Sequence, residues 1–253
     1  MNNSEYWEKR SLALMRKLYN SQERENNALI KLYKEVLKDI KGELEVIYSK
    51  MDNISLSDAY KYDRLNKLKM QIEENIKKIS KEEIKIDKNI LEKTYKDAYE
   101  EISKELNLDF SKLNKEAIKR AVNYEWSGTM FSDIVWKNTS NLIYNIKNTI
   151  TKGLVEGKSY IEMARELNKV MENGLYNSLR VIRTETSHIV NQATLDRYKD
   201  SGLVKEVRII AAEDERMCDT CGSFHNKIFE IDKVPIMPLH ANCRCCVAPV
   251  IEV

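Results

Sequence analysis

Residues 29–47 read LIKLYKEVLKDIKGELEVI. Leu29, Leu32, Tyr33, Val36, Leu37, Ile40, Leu44 and Ile47 advance by three and four, which lays one apolar stripe along a helix. The lysines and glutamates between them are left for solvent, as are runs such as Lys81-Glu82-Glu83. After a polar break at 52–57, Leu65, Leu68, Ile72, Ile76 and Ile79 make a second stripe. Two long amphipathic helices with a short connection predict an antiparallel hairpin, either built into a bundle or projecting as a coiled-coil-like arm.

The rest of the chain supports a mainly α fold. No proline precedes Pro235, and only six glycines (42, 128, 153, 157, 174 and 202) precede Cys218. A chain rich in Lys, Glu, Leu and Ile with so few breakers favours helix throughout. Ser159-Tyr160-Ile161-Glu162 is a capping box, predicting a helix from there to about Met171. A further helix is expected from about Leu175 to Lys199, stopped by Gly202. Val204 to Ala212 is β-branched and strand-like, and Ile228-Phe229-Glu230-Ile231 reads as a second short strand after a turn at His225-Asn226-Lys227. The expected organisation is a helical hairpin or arm over 1–120, a central helical body over 121–202, and a small β-rich module over 203–253.

Charge excludes some classes. Lys and Arg number 42 against 40 Asp and Glu, so the 253-residue chain is no polycation, although a local basic face stays open. No stretch approaches the ~20 apolar residues of a membrane span. Met1-Asn2-Asn3-Ser4-Glu5 does not read as a signal peptide. No membrane partner is expected, and the thiols are expected in a reducing compartment, where clustered cysteines bind metal more often than they pair.

All five cysteines lie from Cys218 onward, as Cys218-Asp219-Thr220-Cys221 and His240-Ala241-Asn242-Cys243-Arg244-Cys245-Cys246. A Cys-x-x-Cys turn followed by a His/Cys cluster can bring four soft donors to one tetrahedral ion. The candidate ligands are Cys218, Cys221, His240, Cys243 and Cys245, with the first four preferred and Cys245 the competitor. If the final stretch is extended, Cys246 points away from Cys243 and Cys245. Zinc in a closed structural site would staple a tail of about 50 residues that has little core of its own. The competing readings are reduced cysteines in a small core or an iron–sulfur cluster. A redox pair or a Cys–His nucleophile lacks its usual context, so no catalytic residue and no small-molecule substrate are expected.

Several further segments carry a resemblance. They are Tyr6-Trp7-Glu8-Lys9-Arg10, the run Asn123 to Asp133 leading to Trp136-Lys137-Asn138, and Gly153 to Ser159. Met163-Ala164, Arg183-Thr184-Glu185, Asp214 to Cys221 and the closing His240-x-x-Cys243-Arg244-Cys245 complete the set. In this order they resemble the minor head, or head-morphogenesis, proteins of tailed phages, the Mu F-like group. The match covers nearly the whole chain and is strongest from about 120 to 249. Two features depart from the pattern: Pro235 and Pro238 are separated, and Ala241 follows the histidine.

The resemblance implies a non-enzymatic capsid protein acting in head morphogenesis. It would dock in a few copies on the portal protein inside the procapsid, with major capsid or scaffolding protein and packaged DNA as further contacts. Its place would be the virion interior, and the host cytoplasm during assembly. Some relatives carry an appended toxin or ADP-ribosyltransferase domain; this chain closes just past the module, so none is expected here. Arg183 and Glu185, two apart on a helix, should anchor different neighbours, the module among them, or else be ordinary exposed charges. Trp126 and Trp136 are expected in the helical core, with an interface as the alternative, and His188 as a surface or satisfied helix histidine. The alternative function is a zinc-stapled nucleic-acid-binding protein using Arg208, Arg216 and Arg244 on phosphates.

Overall fold

The computed structural model describes residues 3–51, 58–108, 114–212 and 217–251. The polar break at 52–57, Arg216 and the run Asp214 to Arg216 lie outside the described residues. Among the described residues six helices precede the sheet: α1 (Asn3–Glu25), α2 (Asn27–Met51), α3 (Asp58–Glu105), α4 (Lys115–Val122), α5 (Phe131–Val155) and α6 (Tyr160–Ser201). Then come β1 (Glu206–Ile210), the short α7 (Asp219–Phe224), β2 (Ile228–Glu230) and β3 (Cys246–Val250). The chain is mainly helical with a small C-terminal sheet. Among the described residues no helix is long and apolar enough to cross a membrane.

Packing divides the chain into two units that each draw on separated segments, a different division from the linear one at 120 and 202. Unit 1 comprises Met1–Glu25, Asp87–Phe131 and Arg180–Val253; unit 2 comprises Asn26–Ile86 and Ser132–Leu179.

Unit 2 is built on the two stripes. Leu29, Tyr33, Val36, Ile40, Leu44 and Ile47 of α2 and Leu68, Ile72, Ile76 and Ile79 of α3 bury into one core. Leu142, Ile146 and Ile150 of α5 and Met163, Leu167 and Met171 of α6 complete it, so the hairpin is part of a helical core. The capping box forms as expected: the Ser159 amide donates to Glu162 Oε2 at 2.8 Å, and the Glu162 amide donates to Ser159 Oγ at 3.3 Å. The two helices expected on either side of Gly174 are instead one continuous α6. A Cβ at Gly174 would stand 2.9 and 3.0 Å from the Leu142 methyls and 3.4 Å from the Tyr33 ring. Glycine lets α6 approach close here, and that packing outweighs its helix penalty of about 1 kcal/mol.

One polar group is set into this core. Glu83 is 1% exposed, and its carboxyl accepts from the Tyr33 hydroxyl at 3.2 Å. The Tyr33 hydroxyl also meets Ser178 Oγ at 2.7 Å.

In unit 1 the sheet order is β2-β1-β3, with both pairs antiparallel. Glu206 pairs with Glu230 on one side and with Val250 on the other. Pro249 stands opposite Val207 in β3, an edge position where a missing amide is tolerated. α1 packs on β3 and buries Trp7, Leu14, Met15 and Leu18. Ion pairs fasten α1 along its length: Arg10 to Glu105 at 3.1 Å, Lys17 to Glu101 at 2.5 Å and Lys93 to Glu25 at 2.7 Å.

Candidate metal centre

The donors are gathered by two turns. In the first, Cys218 caps α7, its Sγ accepting the Cys221 amide at 3.5 Å, so both sulfurs of Cys-x-x-Cys face one side. His225 closes α7 and its Nδ1 accepts the Ala211 amide at 3.2 Å; Asn226, in the left-handed region at φ 64°, turns the chain into β2. In the second, the Cys243 amide donates to the His240 carbonyl at 3.1 Å across Asn242, which also takes a left-handed φ of 61°. Asparagine tolerates that conformation better than a β-branched residue would.

The side chains converge on Cys221. Its Sγ lies 3.0 Å from His240 Nε2 and 3.6 Å from Cys243 Sγ. Cys218, Cys221 and His240 form one group with donor atoms within 4.8 Å of one another, and Cys221, Cys243 and Cys245 form another. Around a zinc ion, donors at ~2.0–2.3 Å stand about 3.3–3.8 Å apart, a range that holds the Cys221–Cys243 separation. The cluster can hold a metal; its four sulfurs and one imidazole are the chemistry of a zinc site. Cys246 belongs to neither group and is buried at the start of β3.

The thiols are electrostatically unlike one another. Cys243 is drawn down to about 5, chiefly by a hydrogen bond from Cys245, with the Cys245 and Leu239 amides helping against burial. Cys245 is raised, first by its hydrogen bond to Cys243 and then by burial. Burial pushes Cys221 up to about 12. Cys218 is lowered, with the Cys221 amide the largest cause. Amides aimed at sulfur hold a thiolate without a proton, the form a metal takes.

Three side chains of α6 fasten the ligand loop, and all three were missed as anchors by sequence reasoning. Thr184 Oγ1 accepts the Asn242 amide at 3.0 Å, and Asn191 Nδ2 donates to the Cys245 carbonyl at 3.0 Å. Between them His188 Nδ1 meets the Met237 carbonyl at 2.6 Å, which makes it the donor. The residues at 184, 188 and 191 follow one helical face, a spacing visible in the sequence but mute without knowing what crosses it. His188 is not a surface histidine: it is 3% exposed and stacks on Trp126 at 4.8 Å and 13°.

The paired charges do anchor different neighbours, and neither is an ordinary exposed charge. Arg183 makes a bidentate pair with Glu23 of α1, Nε to Oε1 at 2.5 Å and Nη2 to Oε2 at 2.9 Å. Glu185 is buried and accepts from Trp126 Nε1 at 2.9 Å; burial pushes its carboxyl up to about 7. Trp126 is therefore half-buried with its indole nitrogen in use, whereas Trp136 is 37% exposed on α5, contrary to the core expectation. Arg208 is not presented to solvent for phosphates: it donates to the Ser4 carbonyl at 3.0 Å and faces Glu8 at 3.5 Å. Arg244 is half-buried and already engaged.

Residues 144–248, from α5 through the whole ligand cluster, match the family described as Phage Mu protein F like protein. The chain is 26% identical over 269 residues to the NAD(+)--arginine ADP-ribosyltransferase EFV of Enterococcus faecalis (strain ATCC 700802 / V583), covering 97% of this chain and 55% of that protein. It is 30% identical over 166 residues to minor head protein GP7 of Bacillus phage SPP1, covering 62% of this chain and 54% of that protein. The chain thus spans about half the length of the curated relatives it matches. No solved structure matches. The family match and the phage SPP1 relative point the same way as the likeness read from the motifs.

Proposed function

We propose that this chain is a non-enzymatic minor head protein of a tailed phage or prophage that acts in head morphogenesis by docking on the portal inside the procapsid. The observation that carries the reading is the Mu F-like match, which runs from α5 to the last residues of the ligand cluster. Major capsid or scaffolding protein and packaged DNA are secondary contacts, and its station is the capsid interior. The Cys/His cluster is a structural zinc site in this reading, with ligands drawn from Cys218, Cys221, His240, Cys243 and Cys245. Its role is to hold the loop from Met237 to Cys245 against α6, where a short sheet alone buries little.

The architecture agrees with a docking role. Among the described residues Cys221 is surrounded by other soft donors, the setting of a closed structural site. The nucleic-acid reading is weakened because Arg208 is spent on α1 and Arg244 is engaged.

The test is capture of the tagged chain from phage-producing cells, with mass spectrometry of what accompanies it. Portal and major capsid proteins enriched over an untagged control are the expected result. Nucleic acid alone, released as salt rises, would overturn the reading, since phosphate contacts weaken steeply with salt.

A further inference from the structure

The outer face of α5 is unlike those of its neighbours in unit 2. α2 shows Lys34, Glu35, Lys38 and Asp39 to solvent, and α3 shows Lys77, Lys78, Lys81 and Glu82, as a solvated helix does. From Trp136 to Val155, α5 exposes only two charges, Lys137 and Lys152, and the helix has one acidic residue, Asp133. Between the lysines stands Tyr144, 68% exposed, with the amides of Asn141, Asn145 and Asn148 around it. Positions 137, 141, 144, 148 and 152 advance by three and four, so they form one stripe, with exposed Trp136 at its edge. Asparagine is a poor helix former, and three on a solvated face cost helix stability that Lys or Glu there would not. Aromatic and amide side chains with few charges are the composition of a recognition surface.

The charges select what covers it. An amide both donates and accepts, so an asparagine face complements itself. A second α5 laid antiparallel, with the helix midpoints together near residue 143, sets Asn141 opposite Asn145 of the other copy. It also brings Lys152 of each copy between Asp133 and Trp136 of the other, where the ammonium meets a carboxylate and an aromatic ring. Within its own chain Lys152 pairs with Glu156 at 3.7 Å, an exposed contact that is weakly held. Parallel packing would instead set Asp133 on Asp133 and Lys152 on Lys152. Nucleic acid fits poorly, because two lysines about 22 Å apart cannot match a duplex carrying a charge every ~1.7 Å.

We propose that the outer face of α5 is a contact between two copies of this chain, packed antiparallel about a two-fold axis near residue 143. Trp136 and Tyr144 are its anchors, and two Asp133–Lys152 pairs fix its orientation, the same patch serving both copies. One helix pair buries less than the ~1,600 Å² of a standard interface, so the association is weak, with a Kd on the order of 10 µM. This pairing is independent of whether the portal is also a partner.

The experiment is sedimentation equilibrium of the full chain over a concentration range that spans about 10 µM, with far-UV circular dichroism confirming that each variant is folded. The wild type should pass from monomer to dimer across that range. Tyr144→Lys, at a side chain already in solvent, and Trp136→Lys should each weaken the dimer by about 30-fold or more. Asp133→Lys and Lys152→Glu alone should each weaken it about 3–10-fold, and the two together should restore it, since the pair is then reversed on both sides. A wild type that stays monomeric throughout overturns the inference; if Tyr144→Lys then also loses the portal from the capture described above, the face belongs to that protein instead. A dimer indifferent to Tyr144→Lys and Trp136→Lys, or a charge swap that fails to restore what the single reversals lose, overturns it as well.

Discussion

Replacing Glu83 with glutamine should abolish a pH-dependent loss of stability in unit 2. The influences on Glu83 are burial, first and largest, opposed by hydrogen bonds with Ser178 and Tyr33; no cation contributes among the described residues. The result is a carboxyl pushed up from 4.5 to about 7. A folded state that holds a proton more tightly than the unfolded chain is favoured below the unfolded value. That advantage is lost as pH rises from about 4.5 through about 7, and is gone above it. At about 1.4 kcal/mol per unit, the whole effect is ~3 kcal/mol, of which about 2.5 kcal/mol falls between pH 5 and pH 8.5. Urea unfolding of both proteins, followed by circular dichroism at 222 nm at those two pH values, reads it directly. Wild type should lose about 2.5 kcal/mol relative to Glu83→Gln on going to pH 8.5. A fixed offset between the proteins reflects only the amide's own hydrogen bonding. An offset identical at both pH values refutes the claim that burial holds this carboxyl neutral.

Other perturbations test other parts. Gly174→Val pushes a branched side chain into the Leu142 methyls and the Tyr33 ring, and should cost about 1–3 kcal/mol in thermal unfolding; no loss would mean that α6 is free to move away. Trp126→Phe removes the indole donor from buried Glu185 and should cost about 1–3 kcal/mol. Because that bond favours the ionised carboxyl, the loss should be larger at pH 8 than at pH 5, as paired melts would show. Stripping metal with a strong chelator should raise amide exchange in β1, β3 and the loop from Met237 to Cys245 while the α2 and α5 core amides stay protected; uniform protection throughout would argue that metal does not hold the module.

The helices were readable where a stripe met its breakers. Leu29 to Ile47 and Leu68 to Ile79 proved to be core positions because an amphipathic helix has one way to hide its apolar face. Gly174 misled, since local propensity says break while the close approach of Leu142 says continue. The cysteine spacing pointed to the cluster, but spacing alone cannot rank five donors; that depends on burial and on which amides face which sulfur. His188 and Asn191 were opaque for a related reason. Their value lies in backbone carbonyls of residues some 50 positions later, which no local pattern encodes. Trp136 shows the reverse error, a large apolar residue assigned inward that the fold leaves outside.

The interleaving of the two units bears on how the chain can be made. Unit 2 occupies an internal span, from Asn26 to Leu179, whereas unit 1 needs Trp7 of α1 and Val247 of β3 at once. On a ribosome adding about 5–20 residues per second, the α2, α3 and α5 core can close while α1 still waits ~4–15 s for its sheet. During that interval α1 has its ion-pair partners on α3, Glu101 and Glu105, but not β3, so a chaperone or assembly partner that grips nascent α1 would meet the part of its apolar face that β3 covers in the finished protein.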